Sequence, residues 1–264
     1  MNDDLTNNFF IADGDRDPLR SVKRDQAQPK AKRFYETVAV AKHDDGFAVL
    51  LDGKPIRTPA GAPLSLPTTA AAELVADEWR AQRETIDPAT MPVTRLVNSA
   101  LDGVARDVGA VAADMAKYLG SDLVCYRAGE SDGLAAAQAA AWDPVLAFAQ
   151  RAFGARFVLG EGVTFVAQPP GAVASAARAV ESHATADDAA LRLAALHSMT
   201  TLTGSALIPL AHVGGALALE EAWAAAHVDE DHQMRVWGQD SEALARRARR
   251  FDEMKAASTL FAAL

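Results

Sequence analysis

Between Glu220 and Glu242 the chain reads EEAWAAAHVDEDHQMRVWGQDSE, the densest grouping of side chains able to do chemistry. His227 and His232 flank Asp229, Glu230 and Asp231, the residue types of a metal site or an acid–base pair. The spacing argues against a metal. Residues five apart on a helix are rotated by about 140°, so the two imidazoles cannot face one ion. His227 and Asp231 do share a face, and a small-molecule or metal-dependent enzyme using that pair stands as the alternative reading. Taken as one helix, Trp223, His227, Glu230, Met234 and Trp237 form a single stripe. Glu230 then lies in the middle of an apolar face, where an unpaired carboxylate costs several kcal/mol. It needs either an internal partner, such as His227 or a basic group, or an external one. Gly238 is a natural helix stop, and Asp240 with Ser241 can cap the helix that follows.

Elsewhere the catalytic inventory is thin. The sequence holds no GxxxxGK[ST] phosphate loop, no GxSxG elbow, no GxGxxG opening a helix, no HExxH and no CxxC. No metal or other cofactor is expected, and a binding role is favoured over catalysis. His197 and His212 lie in apolar helical stretches and read as core or interface residues. Cys125, flanked by apolar and aromatic neighbours, reads as a small buried hydrophobe. As the single cysteine it can form no internal disulfide, which fits a reducing compartment.

These residues need elements to position them. Of the 264 residues, 50% are hydrophobic, enough to build a core, and alanine dominates that share, which favours closely packed helices. The net charge of −9 repels phosphate backbones, so nucleic acid is not an expected partner. No apolar run reaches the length of a membrane span, and the first twenty residues lack the pattern of a secretory signal. The expected setting is the cytoplasm of a bacterium.

The fold class expected is α+β: a small N-terminal antiparallel β-rich domain followed by a mostly helical C-terminal domain. Residues 1–30 read as a disordered tail interrupted by Phe9, Phe10 and Ile11, residues 31–110 as the first domain and residues 111–264 as the second. Thr37–Val40 and Phe47–Leu51 read as strands joined at Asp44-Asp45-Gly46, with Asp52-Gly53 as a second turn. A helix follows Pro67, capped by Thr68 or Thr69. Val93–Leu119 reads as helix interrupted at Gly103 or Gly109, and Ser121–Arg127 as a short extended segment. Asp143-Pro144 reads as a cap and first position of a helix within Gln138–Phe153. Phe157–Gln168 reads as an extended connection. Gly171–His183, Ala186–Thr203, Ser205–Trp237 and Asp240–Phe261 read as helices.

Five blocks, in order, carry a family resemblance: RFY at Arg33–Tyr35, LDGKPIRTP at Leu51–Pro59, ADEWRAQRETIDPATMPVTRLVNSALD at Ala76–Asp102, DLVCYRA at Asp122–Ala128 and DEDHQMRVWGQDSE at Asp229–Glu242. Over about residues 32–263 the chain resembles the assembly chaperones of the F-type ATP synthase alpha subunit, found in mitochondria and alphaproteobacteria. The resemblance implies the same two-part fold and no cofactor. It also implies a role in binding free alpha subunit before beta covers it, so that aggregation is prevented. Glu230, Asp240 and Glu242 fall on the family's acidic positions. With the flanking Trp223 and Trp237 they form the expected partner-binding set, on a protein expected to be a monomer.

Overall fold

The structure, a computed structural model, describes residues 31–43, 46–129, 133–162 and 164–264. The expected tail at 1–30 and the turn residues Asp44 and Asp45 lie outside the described residues. The chain divides into two compact units, one ending at Arg106 and including Ala263–Leu264, the other spanning Asp107–Ala262.

In the first unit, β1 (Val38–His43) and β2 (Gly46–Leu51) pair antiparallel from Val38↔Leu51 to His43↔Gly46. β3 (Lys54–Pro55) and β4 (Ser65–Leu66) also pair antiparallel with β2, which makes β2 the centre of the sheet. Its burial reflects that position: Ala48, Val49 and Leu51 are core residues. The Asp52-Gly53 turn has φ of 48° and 78°, the paired positive values of a type I′ hairpin turn. The Asp52 carboxylate reaches back to accept from the Thr37 amide at 2.8 Å and its hydroxyl at 2.9 Å. Gly46 is required by crowding, because a Cβ there would meet Ser65 Oγ at 2.4 Å and the Leu66 carbonyl at 2.8 Å.

α1 (Thr69–Ala81) lays Ala71, Ala72, Val75 and Ala76 on the sheet, where small side chains allow close approach. Thr68 is its N-cap. The Thr68 hydroxyl accepts from the Ala71 amide at 3.0 Å and donates to the Ala263 carbonyl at 2.6 Å. α2 (Pro92–Asp102) is capped from a distance: Glu78 accepts from the Val93 and Thr94 amides, both at 2.7 Å. Burial pushes the Glu78 carboxyl above its usual range, against those hydrogen bonds. The interruption expected at Gly103 or Gly109 within Val93–Leu119 falls at Gly103, which ends α2 and leads into a 3₁₀ turn at Val104–Arg106.

The second unit is helical. α3 (Val108–Leu119) packs on α5 (Pro170–Ser182) and α6 (Ala189–Thr203). α4 (Leu134–Phe153) packs on α7 (Leu207–Val213), α8 (Leu219–Ala226) and α9 (Val228–Trp237). α10 (Ser241–Ala263) buries Met254, Ala256, Ala257 and Leu260. Its first half, Ser241–Arg250, is largely exposed, and its packing lies in the second half. Two short strands, β5 (Tyr126–Arg127) and β6 (Gly160–Glu161), pair parallel.

The second unit also corrects several expectations. The Ser121–Arg127 segment, expected to be extended, holds a 3₁₀ turn at Leu123–Cys125 before β5. α4 begins at Leu134 and carries Pro144 in its interior. Asp143 therefore caps nothing and instead binds Arg127 at 2.8 Å. Ser205–Trp237 is three helices, the first ended at Gly214-Gly215 and the second at His227. Pro209 is accommodated in the first turn of α7, where no intrahelical amide bond is lost.

Candidate functional site

The acidic run folds as a break between two helices, and the break decides where each side chain points. α8 ends because His227 leaves helical geometry, with φ −123° and ψ 21°. Its ring Nδ1 lies 2.8 Å from the Trp223 carbonyl. A carbonyl only accepts, so Nδ1 carries the proton and Nε2 presents a lone pair while the ring is neutral. Burial is the main influence holding His227 below the ordinary imidazole pKa, aided by the Arg247 and Arg250 guanidinium groups. Neutrality near pH 7 follows.

The change of direction at His227 dissolves the single stripe. Trp223 is buried between the His227 ring, at 4.0 Å, and the Phe251 ring, at 5.4 Å. Trp237, at the far end of α9, is 85% exposed and Val236 beside it 58%. Glu230 is exposed too, contrary to the expectation of a carboxylate inside an apolar face; no internal partner is needed because water reaches it. Glu230 and Trp237 are seven residues apart on α9 and so lie on one face two turns apart.

Gly238 ends α9 with φ 92° and ψ 175°, an extended positive-φ conformation that essentially only glycine adopts. The helix stop expected at Gly238 is there, in this conformation and not in the left-handed one common at helix ends. Asp240 then accepts from the Glu242 amide at 2.9 Å at the start of α10, and Glu242 approaches Arg246 at 3.8 Å in an exposed pair.

The alternative acid–base pair is not assembled. Both Asp231 carboxylate oxygens are taken by the Arg247 guanidinium, Oδ2 at 3.2 Å from Nη2. His227 Nδ1 is committed to Trp223. Among the described residues, no group of three or more histidine, cysteine or acidic side chains is placed to hold a metal ion, and no helix is long and apolar enough to cross a membrane.

Several contacts around the site have no sequence signal. Asp229 accepts from Gln138 Nε2 at 2.7 Å across 91 residues, and the same Gln138 accepts from the Ala128 amide. Trp142 donates to the Ala225 carbonyl at 2.7 Å, fixing the last turn of α8 against α4. Arg250 donates to the Leu202 carbonyl at 2.9 Å. Pairings this far apart in sequence leave no periodicity to read.

Residues 32–150 match the ATP12 chaperone protein family. The Atu1473 protein of Agrobacterium tumefaciens is 47% identical and superimposes with a TM-score of 0.85 over 98% of this chain and 96% of that one. Atp12 from Paracoccus denitrificans is 39% identical, with a TM-score of 0.80 over 88% of this chain and 97% of its own. A mutant form of the Paracoccus protein gives the same values. The matched family and these relatives are chaperones, not enzymes. The chain belongs to the ATP12 chaperone family, the ATP synthase assembly chaperones that its ordered blocks resemble.

Proposed function

We propose that this chaperone binds the free alpha subunit of the F-type ATP synthase and keeps it from aggregating until beta pairs with it. The observation that carries the reading is Trp237. A tryptophan exposed to 85% on a helix end, with Val236 beside it and Glu230, Asp240 and Glu242 around it, has no role in the protein's own core. An aromatic anchor supplies affinity, and the carboxylates steer and select a client whose uncovered interface carries basic phosphate-contacting groups. Trp223, buried against His227 and Phe251, holds the α8–α9 junction that leads to this surface. We place the protein in the bacterial cytoplasm, acting as a monomer without a cofactor.

Light scattering of isolated alpha subunit, with and without the purified protein, tests the proposal. Scattering is expected to be suppressed near equimolar ratio. Unchanged scattering at stoichiometric excess overturns it.

A further inference from the structure

At the other end of α9 from the exposed Trp237 lies a cleft of about 270 Å³. Its walls are the last turn of α6 (Thr201–Gly204), the α8–α9 break from Ala226 to Glu230, and Arg250 of α10, with Trp142 among the apolar lining. Apart from Arg250, whose guanidinium donates to Leu202 O, and the Thr201 and Thr203 hydroxyls, which donate back to carbonyls of α6, the polar side chains here are acceptors. His227 is only 5% exposed. Its Nδ1–H is spent on Trp223, and its Nε2 lone pair makes no hydrogen bond among the described residues. Asp229 gives one oxygen to Gln138 and keeps the other. The last carbonyls of α6 form the negative end of a helix dipole. One of them, Leu202 O, already holds a guanidinium from the protein's own Arg250.

A simpler account gives Asp229, Glu230 and Asp231 to the positive N-terminus of α9. It covers their place in the first turn of the helix. It does not cover a buried imidazole lone pair on the wall of a cleft, nor the carbonyl end of a second helix facing the same space.

We propose that this cleft receives a cationic side chain, lysine or arginine, projecting from the client. The proposal rests on the client-binding reading above and names the chemistry of its polar anchor. The His227 Nε2 lone pair accepts one N–H of the incoming group, and Asp229 and Glu230 balance its charge. A divalent metal is disfavoured, because no three suitable ligands converge among the described residues. A donor-bearing organic cation satisfies acceptors spread over the walls, with charge-assisted hydrogen bonds stronger than neutral ones. On α9 the cleft and Trp237 are two turns apart, so one client surface can engage both.

The test uses the full chain and three small probes: N-acetyl-arginine amide, N-acetyl-lysine amide and the neutral isostere N-acetyl-citrulline amide. The His227 imidazole resonances are followed by NMR and assigned with His227→Gln. Saturable shifts are expected with the two cations and not with citrulline, and the arginine and lysine arms identify the preferred head group. A D229N/E230Q double variant, whose carboxamide oxygen at position 229 can still accept from Gln138, is expected to bind the cations about tenfold more weakly, or about 1.4 kcal/mol, while remaining folded with a melting temperature only a few degrees lower. Equal response to citrulline, or no response to either cation, overturns the cleft proposal. A second arm measures alpha-subunit capture. If wild type and double variant bind alpha equally, the cleft is not the anchor and the chaperone reading stands. If wild type binds no alpha, the alpha-subunit reading falls and the probe titration alone decides the cleft.

Discussion

Glu242 and Glu230 differ less than the sequence implied. Both are exposed, and the Glu242–Arg246 contact is a surface pair, a class worth about 0.2–1 kcal/mol. Glu242→Lys and Glu230→Lys are therefore both expected to melt within a few degrees of wild type while losing alpha-subunit binding. Parallel calorimetry and pull-down check this, and normal binding by either folded variant removes that residue from the client surface. Cys125 is fully buried, and burial raises its thiol to about 12. It is expected to resist a disulfide reagent in native buffer and to react at the rate of unfolding; prompt labelling would contradict its placement. Asp122 is buried completely, accepting from the Ala206 and Leu207 amides at 2.8 and 3.1 Å, and burial raises it to about 6. An unfolded aspartate titrates near 3.9, so the native state binds more protons between those values. The stability this group contributes is full below about pH 4 and is lost as pH rises through about 6. The melting advantage of wild type over Asp122→Asn should thus be larger at pH 4 than at pH 7; a constant difference would refute the shifted titration. The sequence flagged DLVCYRA as a block, and the burial of Cys125 was legible from its neighbours. The role of Asp122 was not, because the Ala206 and Leu207 amides it binds lie more than eighty residues away.

Among the elements, the hairpin, the Asp52-Gly53 turn, the Thr68 cap and the final helix start at Asp240-Ser241 were legible, since each is written in adjacent residues. Junctions between helices were not. His227 interrupts the helix for a single residue, too brief a break to disturb an apolar repeat read over four turns. Asp143-Pro144 has the composition of a helix start, yet packing of Trp142, Val145 and Ala149 carries α4 straight through it. An interior proline removes one amide bond and crowds the preceding turn. Pro144→Ala is accordingly expected to stabilise the protein, by up to about 3 kcal/mol in a helix interior. Chemical denaturation checks this, and a lower midpoint would overturn it.

For the molecule as a whole, a net charge of −9 meets a client interface proposed to be basic. Association should be steered by long-range attraction and slow as ionic strength rises, since the screening length falls to about 8 Å at physiological salt. Stopped-flow association rates at low and high salt check this, with dissociation rates expected to change far less. A salt-independent association rate would leave Trp237 as the main determinant. The division into a β-containing part and a helical part was legible from the switch in hydrophobic period.

The hydrogen bond from Thr68 to the Ala263 carbonyl spans 195 residues. On a ribosome adding about 5–20 residues per second, the acceptor is made roughly ten to forty seconds after the donor. Throughout that interval the cap of α1 lacks its distant tie, while the whole second unit is being made. The first part of the protein to emerge is thus among the last to be finished, and a truncation within the second unit reaches back to loosen the first.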